Sequence, residues 1–107
     1  MAAVQTVTES DFADKVMISA GPVLVDFWAP WCGTCARLNP VVDEVAHSLG
    51  KSVMVVRVNV DENRGLAERH GIRNLPTLVL YGGGRILLTI TGYLSQTELE
   101  ARLKPWL

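Results

Sequence analysis

The run Val23-Leu24-Val25-Asp26-Phe27-Trp28 does most to limit the folds open to this chain. It is almost unbroken in its apolar character. A strand with one wet face alternates apolar and polar residues, whereas a strand covered on both faces does not, so the run predicts a central strand between two layers. Asp26 is the exception. Alternation puts it on the face of Leu24 and Trp28. A carboxyl among such neighbours is costly to ionise, so its pKa is expected to rise, and a carboxyl tuned upward can take a proton from a thiol directly or through one water. The alternative is an acid at a solvated sheet edge.

Directly after this run come Cys32 and Cys35, the only cysteines, in Trp31-Cys32-Gly33-Thr34-Cys35. A lone Cys-x-x-Cys between a strand and a helix reads as a redox-active dithiol. Residues i and i+3 share a helix face with Cβ atoms about 5–6 Å apart, and a disulfide wants them at about 3.5–4.5 Å, so a small adjustment connects dithiol and disulfide. A structural bridge across so short a loop would stabilise little. A zinc site needs four ligands, and His47 and His70 do not show knuckle spacing with the cysteines. Cys32, at a helix N-terminus where free N–H groups favour a thiolate, is the expected attacking thiol. Cys35, one turn in and less exposed, is the expected resolving thiol.

The remaining pattern alternates strand and helix. Val4 to Val7 is a short strand candidate. Thr8 and Asp11 resemble a capping box before a helix with a stripe of Phe12, Ala13 and Val16, which Gly21-Pro22 breaks. Leu38, Val41, Val42, Val45 and Leu49 form the stripe of the helix after the cysteines. Pro40 predicts a kink there, and Gly50 its end. Val53 to Val60 is a strand, and Asp61 is the expected cap of a short helix reaching His70 and stopping at Gly71. Thr77 to Tyr81 and Arg85 to Thr91 form a hairpin around Gly82-Gly83-Gly84. Ser95 and Glu98 make a capping box, with Leu99, Leu103 and Trp106 on one face of the last helix. The order β-α-β-α-β-α-β-β-α predicts parallel strands with right-handed crossovers and a final antiparallel hairpin, hence a mixed sheet with helices on both faces.

Four further residues stand near the dithiol. Arg57 interrupts its strand and points away from Val56 and Val58, toward solvent or a partner. Pro76 heads a strand, where a trans proline is the default. Trp28 shares the parity of Asp26 and is expected to pack in the core. Trp31 is a candidate exposed platform. His47 and His70 read as surface groups on helices without a role.

With a formal net charge of −1 over 107 residues, the chain has no electrostatic footprint for nucleic acid or an anionic membrane. Its first ten residues lack a basic segment and an apolar core, so they do not form a secretory signal. No run approaches the ~20 apolar residues of a membrane span. A cytoplasmic protein is expected, although a form whose signal had been removed would look the same.

Taken together, Val25-Asp26-Phe27-Trp28-Ala29, Trp31-Cys32-Gly33-x-Cys35, Pro40, Asn59-Val60-Asp61, Gly71-Ile72-Arg73, Leu75-Pro76-Thr77, Gly84 and Thr91-Gly92 resemble the thioredoxin family from end to end. The resemblance implies an α/β thioredoxin fold, a central five-stranded mixed β-sheet flanked by four α-helices, as a single domain over 1–107. It implies a general protein disulfide reductase with no bound cofactor and no metal, re-reduced from NADPH by a flavin-dependent thioredoxin reductase. It makes Cys32 the nucleophile, Cys35 the resolving thiol and Asp26 the buried proton acceptor, with a cis Pro76 facing the sulfurs; Arg57 and Trp28 are the candidate supporting residues beside them. Trp31, Gly33, Thr34, Leu75, Pro76, Gly92 and Tyr93 would frame the substrate surface, with Leu75 offering backbone hydrogen bonds to an extended client segment. Family clients are peroxiredoxins, methionine sulfoxide reductase and ribonucleotide reductase, and a monomer is expected.

Three positions depart from the family pattern. Thr34 replaces the usual proline, Arg57 replaces the usual lysine, and Ala36 replaces a commonly basic residue. Thr34 puts the reduction potential in question. Arg57, if it reaches Asp26, leaves the acid more ionised than desolvation alone would. Two rivals have different signatures. A dithiol oxidase or isomerase of an oxidising compartment typically carries a histidine between the cysteines, and this chain does not. A non-catalytic thioredoxin-fold subunit of a complex would have no need of an intact dithiol or Asp26.

Overall fold

The computed structural model of the protein describes residues 4–107. The first three residues of the expected 1–107 domain lie outside the described residues. In chain order the elements are β1 (Gln5–Thr6), a π-helical turn (Ala13–Met17), β2 (Val23–Trp28), α1 (Gly33–Leu49), β3 (Met54–Asn59), α2 (Arg64–Arg69), β4 (Thr77–Gly82), β5 (Arg85–Thr91) and α3 (Gln96–Leu103), which ends in a 3-10 turn at Lys104–Trp106. This is the five-stranded mixed sheet with four helices that the resemblance implied.

The strands lie in the order β1-β3-β2-β4-β5. β2 is central and pairs parallel with β3 and antiparallel with β4. Covering on both faces follows from its apolar run. Leu24 belongs to the layer packed under α1 and α3, with Leu38, Val42, Val45 and Leu99. Val23, Val25 and Phe27 face the opposite layer, with Phe12, Val16 and Leu66.

The direction of β4 differs from the simple alternating expectation. α2 has 6 residues, a rise of roughly 9 Å. β3 also has 6 residues, but as a strand it spans roughly 20 Å. The helix is too short to carry the chain back along the sheet, so the chain re-enters at the end it left, and β4 runs antiparallel to β2. The β4–β5 hairpin forms as expected, its turn made by Gly83 and Gly84 at φ of 59 and 76, the double positive φ of a tight primed turn.

Local signals were met unevenly. Ser95 and Glu98 form the full capping box of α3. Gly71, at φ 70, closes α2 in a Schellman arrangement, with its N–H on the Glu68 carbonyl and that of Ile72 on the Ala67 carbonyl. α1 runs through Pro40, and Gly50 after it keeps right-handed backbone. Asp61 does not cap α2. Asn63 is its N-cap, and the N–H of Leu66 is satisfied instead by the Glu9 carboxylate at 2.9 Å. Asp11 does reach back to the Thr8 N–H at 2.7 Å, but the turn that follows starts later, and Ala13 faces solvent. Trp106 is 46% exposed, because the final 3-10 turn rotates it off the Leu99–Leu103 face.

Candidate active site

Cys32 is the N-cap of α1, in extended backbone, and its sulfur accepts the Cys35 N–H at 3.1 Å. A helix start leaves its first N–H groups without intrahelical partners, and here the sulfur meets one of them. Cys32 and Cys35 are joined in a disulfide with Cα atoms 5.2 Å apart. Cys32 keeps 8% exposure and Cys35 none. The Cys32 sulfur is therefore more covered in the disulfide form than a helix N-terminus suggests, and it remains the more exposed of the two. Ala29 packs with the two cysteines, and Trp28, Val60 and Leu75 close around them. Trp28 is thus half-buried against the sulfur pair rather than deep in the core.

Pro76 follows a cis peptide bond, as the resemblance implied and contrary to the trans default of a strand-start proline. Its carbonyl accepts the Gly92 N–H at 3.0 Å, which joins the Leu75-Pro76 loop to the Gly92-Tyr93 loop. Gly92 needs its lack of a side chain, because its φ is 88. Gly33 and Thr34 are exposed on the first turn of α1. Trp31 is 70% exposed, yet its indole N–H donates to Asp61 Oδ2 at 2.9 Å. That bond is what Asp61 does in place of capping α2. A groove of about 490 Å³ runs beside Trp31, bordered by Val60, Ile72, Arg73 and Leu75. Tyr93 carries the Arg37 guanidinium 4.7 Å from its ring centre, a cation–π contact.

Asp26 is fully buried in β2. In register it sits between Arg57 on β3 and Leu78 on β4. Burial raises its pKa from 3.8 to about 6, against the lowering pull of Arg57. The Arg57 Nε donates to Asp26 Oδ2 at 3.1 Å, and Nη2 donates to Asp43 Oδ1 at 3.1 Å and to the Asn39 carbonyl at 3.3 Å. Arg57 is thus a partner of the acid and not a solvated strand residue. Arg57→Ala is expected to raise the Asp26 midpoint by about one pH unit or more, read by carboxyl NMR titration. An unmoved midpoint would detach Arg57 from the acid.

His70 departs from the surface role expected of it. Its Nδ1 lies 2.7 Å from the Tyr81 hydroxyl, and its ring packs edge-on against Phe12 at 4.8 Å. Burial, followed by the nearby Arg69 charge, lowers its pKa. His47 is exposed on α1. Sequence reasoning missed Arg37, Asn39, Asp43 and Asp61. For two of them a signal existed, because Cys35, Asn39 and Asp43 follow one another at intervals of four and so share a helix face.

Residues 3–105 match the family model described as Thioredoxin. The chain is 45% identical over 104 residues to Thioredoxin 1 of Nostoc sp., covering 97% of each chain. It is 46% identical over 103 residues to Thioredoxin 1 of Synechococcus elongatus, covering 96% of each. It is 42% identical to the Thioredoxin of Synechocystis sp. over 107 residues, the full length of both. A helix-capping disulfide of the Cys-x-x-Cys type, set in this sheet and matched along the whole chain, makes the protein a member of the thioredoxin family and a thiol–disulfide oxidoreductase.

Proposed function

We propose that the protein is a general protein disulfide reductase, in which Cys32 attacks and Cys35 resolves. The observation that carries this reading is the asymmetry of the sulfur pair: Cys32 is at the helix N-cap with residual exposure, and Cys35 is buried beneath it. A thioredoxin reductase passes two electrons from NADPH through its flavin and, with two protons, opens the disulfide to two thiols. The Cys32 thiol gives its proton to solvent, and the resulting thiolate attacks one sulfur of a client disulfide. The client's second sulfur leaves and is protonated, and a Cys32–client mixed disulfide remains. Cys35 gives its proton to Asp26 and attacks the Cys32 sulfur. The Cys32–client bond breaks, its electron pair leaves with the client sulfur, and that sulfur is protonated. The client gains two electrons and two protons, and the Cys32–Cys35 disulfide re-forms.

Asp26 suits the proton-acceptor role because a carboxyl with a midpoint of about 6 is available near neutral pH in both states. Trp31, Gly33, Thr34, Leu75, Pro76, Gly92 and Tyr93 would form the client surface, with the Leu75 backbone adding to an extended client strand. Clients of the peroxiredoxin, methionine sulfoxide reductase and ribonucleotide reductase kind suit this chemistry. The chain acts as one domain and as a monomer. We place it in the cytoplasm, where reducing conditions keep such a pair cycling. Among the described residues no helix is long and apolar enough to cross a membrane.

Insulin disulfide reduction tests the reading. Activity is expected with dithiothreitol and again with NADPH and a thioredoxin reductase. Failure of both removes the reductase assignment, and success with dithiothreitol alone removes the reductase as electron donor.

Thr34 bears on the potential. Its backbone N–H is one of the free donors at the start of α1, where a proline would offer none. A reduced Cys32 thiolate is therefore expected to be at least as well stabilised as in a Gly-Pro version, and the protein somewhat more oxidising. Thr34→Pro should titrate as the weaker oxidant against glutathione. A variant as oxidising as the parent contradicts this.

A further inference from the structure

Asp26 has two oxygens in unequal surroundings. Oδ2 takes the Arg57 Nε–H at 3.1 Å. Oδ1 is buried and has no hydrogen-bond partner among the described residues. The Asn39 side chain projects from α1 toward the same carboxylate. The atom it points inward meets only acceptors, so the amide nitrogen belongs there. In that orientation it donates to Asp26 Oδ2 at 3.0 Å and to the Cys35 carbonyl at 3.2 Å. The Cys35 carbonyl has two lone pairs and can take this bond in addition to the helical one.

We propose that Asn39 is a positioning residue for the exchange reaction: its amide, with Arg57, occupies Oδ2 of Asp26 and leaves Oδ1 as the oxygen that receives the Cys35 proton. The inference rests on the reading that Asp26 is the acceptor of that proton. An oxygen already holding two donors is a poor base, and the bare one is a better base. The second bond of the amide ties the acid to the backbone of the residue that carries the resolving sulfur. Both ends of the proton transfer are thereby referred to one side chain, and small errors in such alignments slow reactions disproportionately. Among the described residues, the charged groups that act on Asp26 are Arg57 and Asp43. Arg57 faces it from β3, Asp43 stands beyond Arg57 on α1, and β4 presents the apolar Leu78.

A donor to the charged form of an acid holds its pKa down. Asn39→Leu preserves bulk and removes the donor. Its Asp26 midpoint, followed by carboxyl NMR in the oxidised protein, is expected to rise by about one pH unit. The acid limb of insulin reduction should move by the same amount. Asp26→Asn should remove that limb, and adding Asn39→Leu to it should leave the pH profile of the single Asp26→Asn variant unchanged, which a purely structural role of Asn39 would not. Asn39→Ala serves if the leucine variant does not fold, and should move the midpoint in the same direction. A midpoint that stays or falls overturns the proposal, as does a limb shift that persists without Asp26. Should Asp26→Asn alone leave the acid limb of the parent unchanged, Asp26 is not the acceptor and both readings fall. A midpoint that still responds to Asn39 distinguishes that failure from the others.

Discussion

Cys35→Ser is expected to abolish turnover and hold one client molecule per chain through Cys32. The proposed reaction has two displacements, and serine would block only the second. Its hydroxyl is a weak nucleophile at neutral pH and cannot form an S–S bond, whereas the helix N-terminus still favours a Cys32 thiolate. The Cys35 N–H that reaches the Cys32 sulfur at 3.1 Å belongs to the backbone and survives the substitution. The mixed disulfide should therefore form at close to its normal rate and accumulate. Intact mass measurement without reductant should show chain plus client, lost on adding dithiothreitol. Cys32→Ser should give no adduct and background turnover. If Cys35→Ser captures nothing, or if the adduct maps away from Cys32, the order of the two sulfurs is wrong.

Asp26→Asn is expected to stabilise the oxidised protein at pH 8 and to lose that advantage in acid. A carboxyl raised from 3.8 to about 6 binds its proton more tightly folded than unfolded. The stability that comes from it is complete below the unfolded value and is lost as pH rises through about 6. The difference of roughly two pH units corresponds to about 3 kcal/mol at pH 8. Asparagine carries no charge to bury, and Arg57 keeps Asp43 as a partner at 3.1 Å. Urea unfolding should show the variant ahead by about 2–3 kcal/mol at pH 8 and level with the parent near pH 3. A variant that is less stable at pH 8 would mean that Arg57 compensates the buried charge in full. The same substitution should slow the resolving step, so stability and rate move in opposite directions.

The features legible in the sequence were those in which one residue type has one physical use. The unbroken run from Val23 to Trp28 announced a covered strand, paired glycines announced a tight turn, and Ser95 with Glu98 announced a cap. Asp26 was legible because an acid among those neighbours has nowhere wet to point. The residues that were misjudged have several possible partners. Asp61 has the composition of a cap, but the Trp31 indole claims it, and Glu9, distant in sequence, satisfies the helix instead. His70 looked like a surface group because Phe12 and Tyr81, which enclose it, come from other elements. The direction of β4 depended on a helix length, and the Leu75-Pro76 isomer on a preference too small to read from one residue. Arg57 could be drawn with or without Asp26 until the register placed them side by side.

Because the chain turns back after α2, the loops that follow Trp28, His70 and Thr91 gather at one rim of the sheet. The far rim holds Gly21-Pro22, Gly50 to Ser52 and the Gly83-Gly84 bend. The sulfur pair lies at one pole of the molecule, a full strand length from the other. Tethers, dyes or fused partners attached at Lys51, which is exposed there, should ride on the enzyme without disturbing electron transfer.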